Sequence, residues 1–309
     1  MNENQPLVSI GIPTYNRVAL LKRAVESALA QDFPDIEVII FDNASTDETE
    51  MLCAAIEAQD FRVRYFRHVS NQGATVNFHS ALKQARGEYF MWLADDDWLD
   101  PSYVSRCVEL HETYPATALA SGGAVFHFSG GIERRGIVVE AQSDYGSLRV
   151  LKYLALVRDN SGFYGLVRKS ALDQIILRNV LGGDWLFVLC LAYLGKIRVD
   201  QTVLLHRSPN GASDSIVKLM RSYGLPRIAT HFPYSVIARE IIREISKNQM
   251  IFGSMGFARR CVLAGSAVAV LLVFQGLFWR IASSIALRDI LGAGRVASLR
   301  DYVRRIFKI

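Results

Sequence analysis

Little in this sequence would serve thiolate, redox or secreted chemistry. The four cysteines, Cys53, Cys107, Cys190 and Cys261, stand far apart in 309 residues. That excludes paired zinc spacing, a Cys-x-x-Cys redox pair and a disulfide framework, and a reducing cytosol is the expected setting. No Gly-x-Gly-x-x-Gly follows a strand-like run and no phosphate-binding P-loop motif occurs, so neither supplies a binding mode. The first residues, Met-Asn-Glu-Asn-Gln-Pro, lack a basic start and an apolar run, so no secretory signal is expected. A basic body is missing too, although the net charge is +5. Residues 259–309 hold nine basic and two acidic groups, leaving 26 basic and 28 acidic groups in residues 1–258. The positive charge therefore belongs to a tail, which argues against a nucleic-acid partner.

What is present is a chain that is 50% hydrophobic and 21% charged, enough for a sizeable core in one large domain or two small ones. Leu7 to Ile12 is an apolar run rich in β-branched residues; beyond Pro13, Val18, Leu21, Val25, Ala28 and Leu29 recur at helical spacing. The unit repeats with a strand over Glu37–Phe41, a polar turn over Asp42–Thr46 and a helix to about Ala58. Ser45 and Glu48 have the spacing of a capping box for that helix. A strand over Arg62–Phe66, a helix over Thr75–Ala85 and a strand over Tyr89–Leu93 follow. This alternation predicts an α/β fold: a Rossmann-like, mostly parallel central sheet flanked by helices. Farther on, the pattern predicts a helix from Pro101 to about Tyr114 and a hairpin of Ala124–Ser129 with Gly136–Glu140 around Gly130-Gly131. A helix near Ser147–Val157, an apolar helix from Gly182-Gly183-Asp184-Trp185 to Leu194 and a strand near Ile197–Leu204 complete the pattern.

In such a sheet the ligand sits beyond the carboxyl ends of the strands, and those loops are the polar ones. Asp95-Asp96-Asp97 ends the fourth strand. Three adjacent carboxylates at the end of a buried strand repel unless a cation neutralises them. Magnesium or manganese suits such a loop, because these ions take carboxylate and phosphate oxygens; a solvated acidic turn that caps the next helix is the competing reading. Asp42 ends a second strand, poised to accept hydrogen bonds from a base or ribose, while Asp47 reads as a helix-start residue. Together the loops point to a nucleotide diphosphate site.

The segments Val8-Ser9-Ile10-Gly11-Ile12-Pro13-Thr14-Tyr15-Asn16-Arg17, Asp42-Asn43-Ala44-Ser45-Thr46-Asp47, Asn71-Gln72-Gly73 and the aspartate run resemble the family 2 glycosyltransferases, which have the A-type nucleotide-diphospho-sugar transferase fold. The resemblance runs from about Leu7 to Ser213. It implies that Pro13, Thr14, Tyr15 and Arg17 line the nucleotide, that Asp42 reads the base, and that Asn71, Gly73 and Asn77 shape the sugar-nucleotide pocket. Asp95 and Asp96 would face ribose and diphosphate, and Asp97 would be the principal metal ligand. Ala94 stands where the family's run often begins with an aspartate, leaving the roles of the three open by one position. Gly182-Gly183-Asp184-Trp185 resembles a motif that typically reads Gly-Glu-Asp, which makes Asp184 the catalytic base, with Gly183 in place of the glutamate. His206 would complete the metal or diphosphate site, and Arg207 could pair with phosphate. Phe163, Tyr164, Trp185 and Trp98 would either stack on a sugar or pack the core.

The tail carries 19 uncharged residues, Cys261 to Trp279, spanning about 28 Å as a helix, close to a bilayer core. Val296, Leu299, Val303 and Ile306 then form a stripe among basic residues, as in an interfacial helix. A helical hairpin closing the domain, or a dimer interface, is the alternative. The expected organisation is a catalytic domain over residues 1–230 and a helical membrane-associating region over residues 231–309. The expected activity is metal-dependent, inverting transfer of a sugar from a UDP- or dTDP-sugar to a glycan or lipid-linked acceptor, in cell-envelope polysaccharide or lipid-linked glycan synthesis, at the cytoplasmic face of the cell membrane. The cofactor would be Mn2+ or Mg2+. Another reading is a non-catalytic nucleotide-sugar-binding membrane scaffold, which the missing glutamate at Gly183 supports. Nucleotidyl transfer shares the fold, but its glycine-rich signature is not found.

Overall fold

The computed structural model describes residues 6–209, 223–225 and 233–291, with residues 276–291 as helix backbone only. The basic stripe beyond residue 291 lies outside the described residues. In the first half β1 (Val8–Thr14), α1 (Val18–Leu29), β2 (Ile36–Asp42), α2 (Thr49–Gln59), β3 (Val63–Arg67), α3 (Ala74–Gln84) and β4 (Tyr89–Trp92) alternate as expected. Their strands lie in parallel in the order β3-β2-β1-β4. Every residue of β1 and β2 is buried, because helices cover both faces, and such strands read as unbroken apolar runs. The expected capping box is not formed: Glu48 occupies the N-cap position without a side-chain capping bond. Ser45 turns instead toward Asp42, and Asp47 accepts from the Thr49 and Val18 amides at the starts of both α2 and α1.

The second half comprises β5 (Trp98–Leu99), α4 (Tyr103–Thr113), β6 (Thr117–Phe128), β7 (Ile132–Arg135), α5 (Gly146–Leu156), a 3₁₀ turn at Ser161–Tyr164, β8 (Leu166–Arg168), α6 (Lys169–Leu172), α7 (Gly183–Leu194) and β9 (Lys196–Arg207). Here the sheet continues as β4-β8-β6-β9-β5, with β7 paired to β6. Only the β6–β9 pairing in this part is parallel. The hairpin differs from expectation: β6 begins at Thr117 and β7 ends at Arg135. The first ten residues of β6 are all buried between neighbouring strands, so no alternation marks their start.

Three helices follow: α8 (Pro233–Lys247), α9 (Gln249–Phe252) and α10 (Phe257–Leu291). Ile237, Ile241 and Ile245 of α8, Phe252 of α9, and Leu263, Ala267 and Leu271 of α10 lie in one hydrophobic cluster with residues of α5 and α7. Burying each of the larger aliphatic side chains contributes about 1.5–3 kcal/mol. The described helices from Pro233 onward therefore share one hydrophobic cluster with α5 and α7. The Phe257–Gln275 part of α10 is long and apolar enough to cross a membrane by length and composition, yet one side of it faces this core. Val262, Leu272, Val273 and Phe274 point outward.

Candidate active site

The parallel strands end in a row of loops, and their polar residues are joined to one another. Thr14 at the end of β1 donates from Oγ1 to Asp95 Oδ2 at 2.8 Å. Arg17, at the mouth of α1, meets Asp95 Oδ1 at 3.2 Å and Asp96 Oδ2 at 3.1 Å through one nitrogen. Asp97 accepts from Arg207 Nε at 3.2 Å on Oδ2 and from the Ser208 amide at 3.0 Å on Oδ1. Arg23 Nη2 donates to the Asp96 carbonyl at 2.9 Å. All three carboxylates are buried, at 6%, 5% and 1% exposure. A solvated acidic turn is therefore not what the loop is.

Arginines supply part of the cation that the crowded carboxylates require, but not enough of it. Burial pushes the Asp95 and Asp97 carboxyls up to about 6, with Arg17 and Arg207 pulling the other way. The loop offers hard oxygen donors of the kind magnesium or manganese takes, although among the described residues no three acidic, histidine or cysteine side chains converge into a metal cage.

Asp42 is fully buried. Its Oδ1 accepts from the Ser45 amide and hydroxyl, and its Oδ2 accepts from Tyr65 Oη at 3.0 Å and Arg67 Nε at 3.1 Å. A base reaching Asp42 would compete with these donors, of which Arg67 is the more exposed at 37% of its side chain. Asn77 is buried and its Nδ2 donates to the carbonyls of Phe41 and Thr14, tying the ends of β2 and β1 together. Its Oδ1 is buried without a partner. Asn71 Oδ1 accepts from Asn43 Nδ2 and the Gly73 amide, and Gly73 opens α3 with φ +83°, a conformation that favours glycine. Pro13 is buried in β1, while Tyr15, Asn71 and Gly73 are exposed at the rim. The expected nucleotide residues thus gather around the ends of β1, β2 and β4.

Asp184 enters from the other half. Gly182 holds φ +76° at the N-cap of α7, and Asp184 follows in the first turn. Its side chain is partly exposed, and crowding by protein raises its pKa against the opposing pull of the Asn160 hydrogen bond, the adjacent backbone amides and Arg207. Asn160 Nδ2 donates to Asp184 Oδ2 at 2.9 Å, and Tyr153 Oη donates to Asn160 Oδ1 at 2.7 Å. Arg207 pairs with Asp97, and its positive charge also opposes the rise of the Asp184 pKa. A Cβ at Gly183 would collide with the Arg178 carbonyl. The backbone occupies the space a glutamate would enter.

His206 does not present a free nitrogen. Nε2 meets Asp100 Oδ1 at 2.9 Å and Nδ1 meets His127 Nε2 at 2.9 Å, while His127 Nδ1 lies 3.2 Å from Glu133. As a metal ligand it would have to release one of these partners. The Trp98 ring stacks with His206 at 5.0 Å and carries the Arg23 guanidinium over it at 3.6 Å. Phe163 is buried and stacked on Trp92 at 4.9 Å, which makes it a core residue. Sequence reasoning missed Asn160, Tyr153, Arg23, Asp100 and His127, whose roles depend on partners distant in the chain. The one local signal is Asn160 itself, since asparagine tolerates the left-handed backbone it adopts, φ +50°.

Comparison with known proteins accords with this geometry. The model of the family described as Glycosyl transferase family 2 matches residues 9–176. A GalNAc(5)-diNAcBac-PP-undecaprenol beta-1,3-glucosyltransferase from Campylobacter jejuni is 30% identical over 173 residues, 55% of this chain and 54% of that protein. The putative colanic acid biosynthesis glycosyl transferase WcaA of Escherichia coli is 37% identical over 103 residues, 33% of this chain and 37% of that one. The chain thus spans about half, or less, of the length of these relatives. Among solved structures, S. aureus TarS 1-349 in complex with UDP-GlcNAc superposes with a TM-score of 0.63 at 19% identity, covering 86% of this chain and 73% of that one. The mannosyltransferase PcManGT from Pyrobaculum calidifontis, in complex with GDP-Man and Mn2+, gives 0.55 at 15% identity, covering 99% and 82%. At those identities the likeness establishes the fold.

Proposed function

The chain belongs to glycosyl transferase family 2, and on that premise we propose that this glycosyltransferase moves a sugar from a nucleoside-diphosphate donor to an acceptor hydroxyl with inversion, aided by a divalent metal. The observation that carries the reading is the pairing of a buried aspartate loop at the end of β4 with a carboxylate in the first turn of α7 that Asn160 holds by a hydrogen bond. An acceptor hydroxyl is too weak an acid to ionise near neutrality, and a carboxylate whose pKa is raised toward the working pH is a better general base. Asp184 takes the hydroxyl proton as the acceptor oxygen forms its bond to the anomeric carbon. The bond from that carbon to the diphosphate oxygen breaks, and the electron pair leaves with the diphosphate. One displacement inverts the centre through an oxocarbenium-like state and needs no enzyme nucleophile.

Arg17 and Thr14 orient the aspartate loop, and Tyr15, Asn71, Gly73 and Asn77 bound the nucleotide side. Asp97, with Asp95 and Asp96 beside it, would hold Mn2+ or Mg2+. Bound there, the ion would supply positive charge against the departing diphosphate. The donor is proposed to be a UDP- or dTDP-sugar. The acceptor is proposed to be a lipid-linked or envelope glycan, supported by the undecaprenol-linked substrate in the name of the Campylobacter relative. The outward side chains Val262, Leu272, Val273 and Phe274 of α10 support contact with a membrane surface, at its cytoplasmic face, by a helix whose other side is docked on the enzyme.

A non-catalytic scaffold would rest on the glycine at 183, but the Asn160 hydrogen bond that holds Asp184 supports an enzyme. A panel of nucleotide sugars, scored by thermal shift with and without manganese, tests the reading, because a ligand that prefers the native state raises its melting temperature. We expect a manganese-dependent rise with one donor class, lost in Asp97→Ala. No rise with any UDP-, dTDP- or GDP-sugar would reject the proposal.

A further inference from the structure

Gln275 is 1% exposed on α10. A primary amide in such a place is costly unless its hydrogen bonds are satisfied. Its Nε2 donates to the carbonyls of Leu154 at 3.0 Å and Val157 at 2.8 Å. These lie at the end of α5, where a helix leaves its last carbonyls without intrahelical partners. Arg158 Nη1 donates to the neighbouring Ala155 carbonyl and also to that of Val157, so the end of α5 is gripped from two sides. Beyond it, Asn160 takes a left-handed backbone, φ +50° and ψ +33°, which persists in a residue other than glycine where the surroundings over-determine it. Its amide then bridges Tyr153 of α5 to Asp184.

We propose that Gln275 is a positioning residue for the base: it fastens α10 to the end of α5 and thereby fixes the Asn160 amide against Asp184. The inference rests on the reading of Asp184 as the base. It makes the apolar C-terminal helix part of the support of the base, through the end of α5. The charged and titratable groups around Asp184 are Arg207 from β9, Tyr153 from α5, and Tyr164 and Tyr223. None of them is bonded to Gln275 in the contacts that define its position.

The test is carbon-13 NMR of the full chain labelled at the aspartate carboxyls, with the Asp184 signal assigned through Asp184→Asn. Asn160→Ala removes a hydrogen bond to the ionised form, and we expect the Asp184 midpoint to rise by about 0.3–1 in pH. Gln275→Met keeps the side-chain length and apolar packing; its Asp184 midpoint should rise less, while the Asp95 and Asp97 midpoints stay in place. Turnover, read as UDP released from UDP-glucose or UDP-N-acetylglucosamine with manganese, should fall about three- to tenfold in kcat with the donor KM unchanged. In the unaltered protein the Gln275 side-chain amide signal should move with the Asp184 titration, a readout independent of how well the variant folds. An unmoved Asp184 midpoint in Gln275→Met, or a Gln275 amide indifferent to that titration, would overturn the proposal. Full turnover in Asp184→Asn would instead sink the reading of the base.

Discussion

The two halves of the sheet build their parts of the site by different means. In the parallel half, Thr14, Arg17, Asp42, Asn71 and the aspartates sit on short loops at consecutive strand ends, and topology alone brings them together. In the mixed half, Tyr153, Asn160, Asp184 and Arg207 come from a helix, a strained loop, a second helix and a strand. This second arrangement depends on how its helices pack, and Gln275 of α10 belongs to that packing.

Removing the base should have the largest effect and separate the halves most cleanly. Asp184→Asn is expected to lower transfer by about a hundredfold to ten-thousandfold while the thermal shift on adding donor and manganese persists; loss of donor binding would put Asp184 in the donor half instead. Arg207 comes next. Arg207→Met should reduce turnover on the order of a hundredfold, since it withdraws a fixed positive charge from both Asp97 and Asp184, and Arg207→Lys should recover part of it. Steady-state rates with the donor found by thermal shift would decide, and an unchanged rate would show that the halves work independently.

A smaller effect is expected in stability against pH. The Asp95 and Asp97 carboxyls lie at about 6 in the folded protein, above the ordinary carboxylate value of about 4. The native state therefore holds their protons more tightly than the unfolded chain. That contribution is complete below about pH 4 and is lost as pH rises through about 6. Manganese should accordingly raise the melting temperature more at pH 7 than at pH 5 in calorimetry; an equal rise at both would remove Asp95 and Asp97 from the ion's ligands. The smallest effect on catalysis is expected at the outer face of α10, where Val273→Glu should weaken sedimentation with anionic lipid vesicles and leave soluble donor hydrolysis unchanged. Undiminished sedimentation would assign that face to something other than lipid.

Legibility in the sequence followed the same division. The strands up to Tyr89–Trp92 and the helices among them emerged within a few residues of their positions, because fully buried strands and one-sided helices leave strong periodic patterns. β8, three residues long, and the start of β6 did not, since pairing on both sides removes alternation. The aspartate cluster was recognisable as a charged site, but the cations around it were not: Arg17 lies 78 positions from Asp95 and Arg207 lies 110 from Asp97. His206 reads as a possible ligand, and its bonds to His127 and Asp100, 79 and 106 positions away, are not visible in the sequence.

By itself the sequence determined the α/β architecture, the strand-end loops and the residue types available to bind a nucleotide diphosphate, because local periodicity and turn chemistry are written in neighbouring residues. Tertiary structure alone decided which arginine answers each aspartate, that Gly183 leaves no room for a side chain, and that the apolar tail docks one face on the enzyme. Each of these depends on burial and on contacts across many tens of residues, and both arise only when the elements pack.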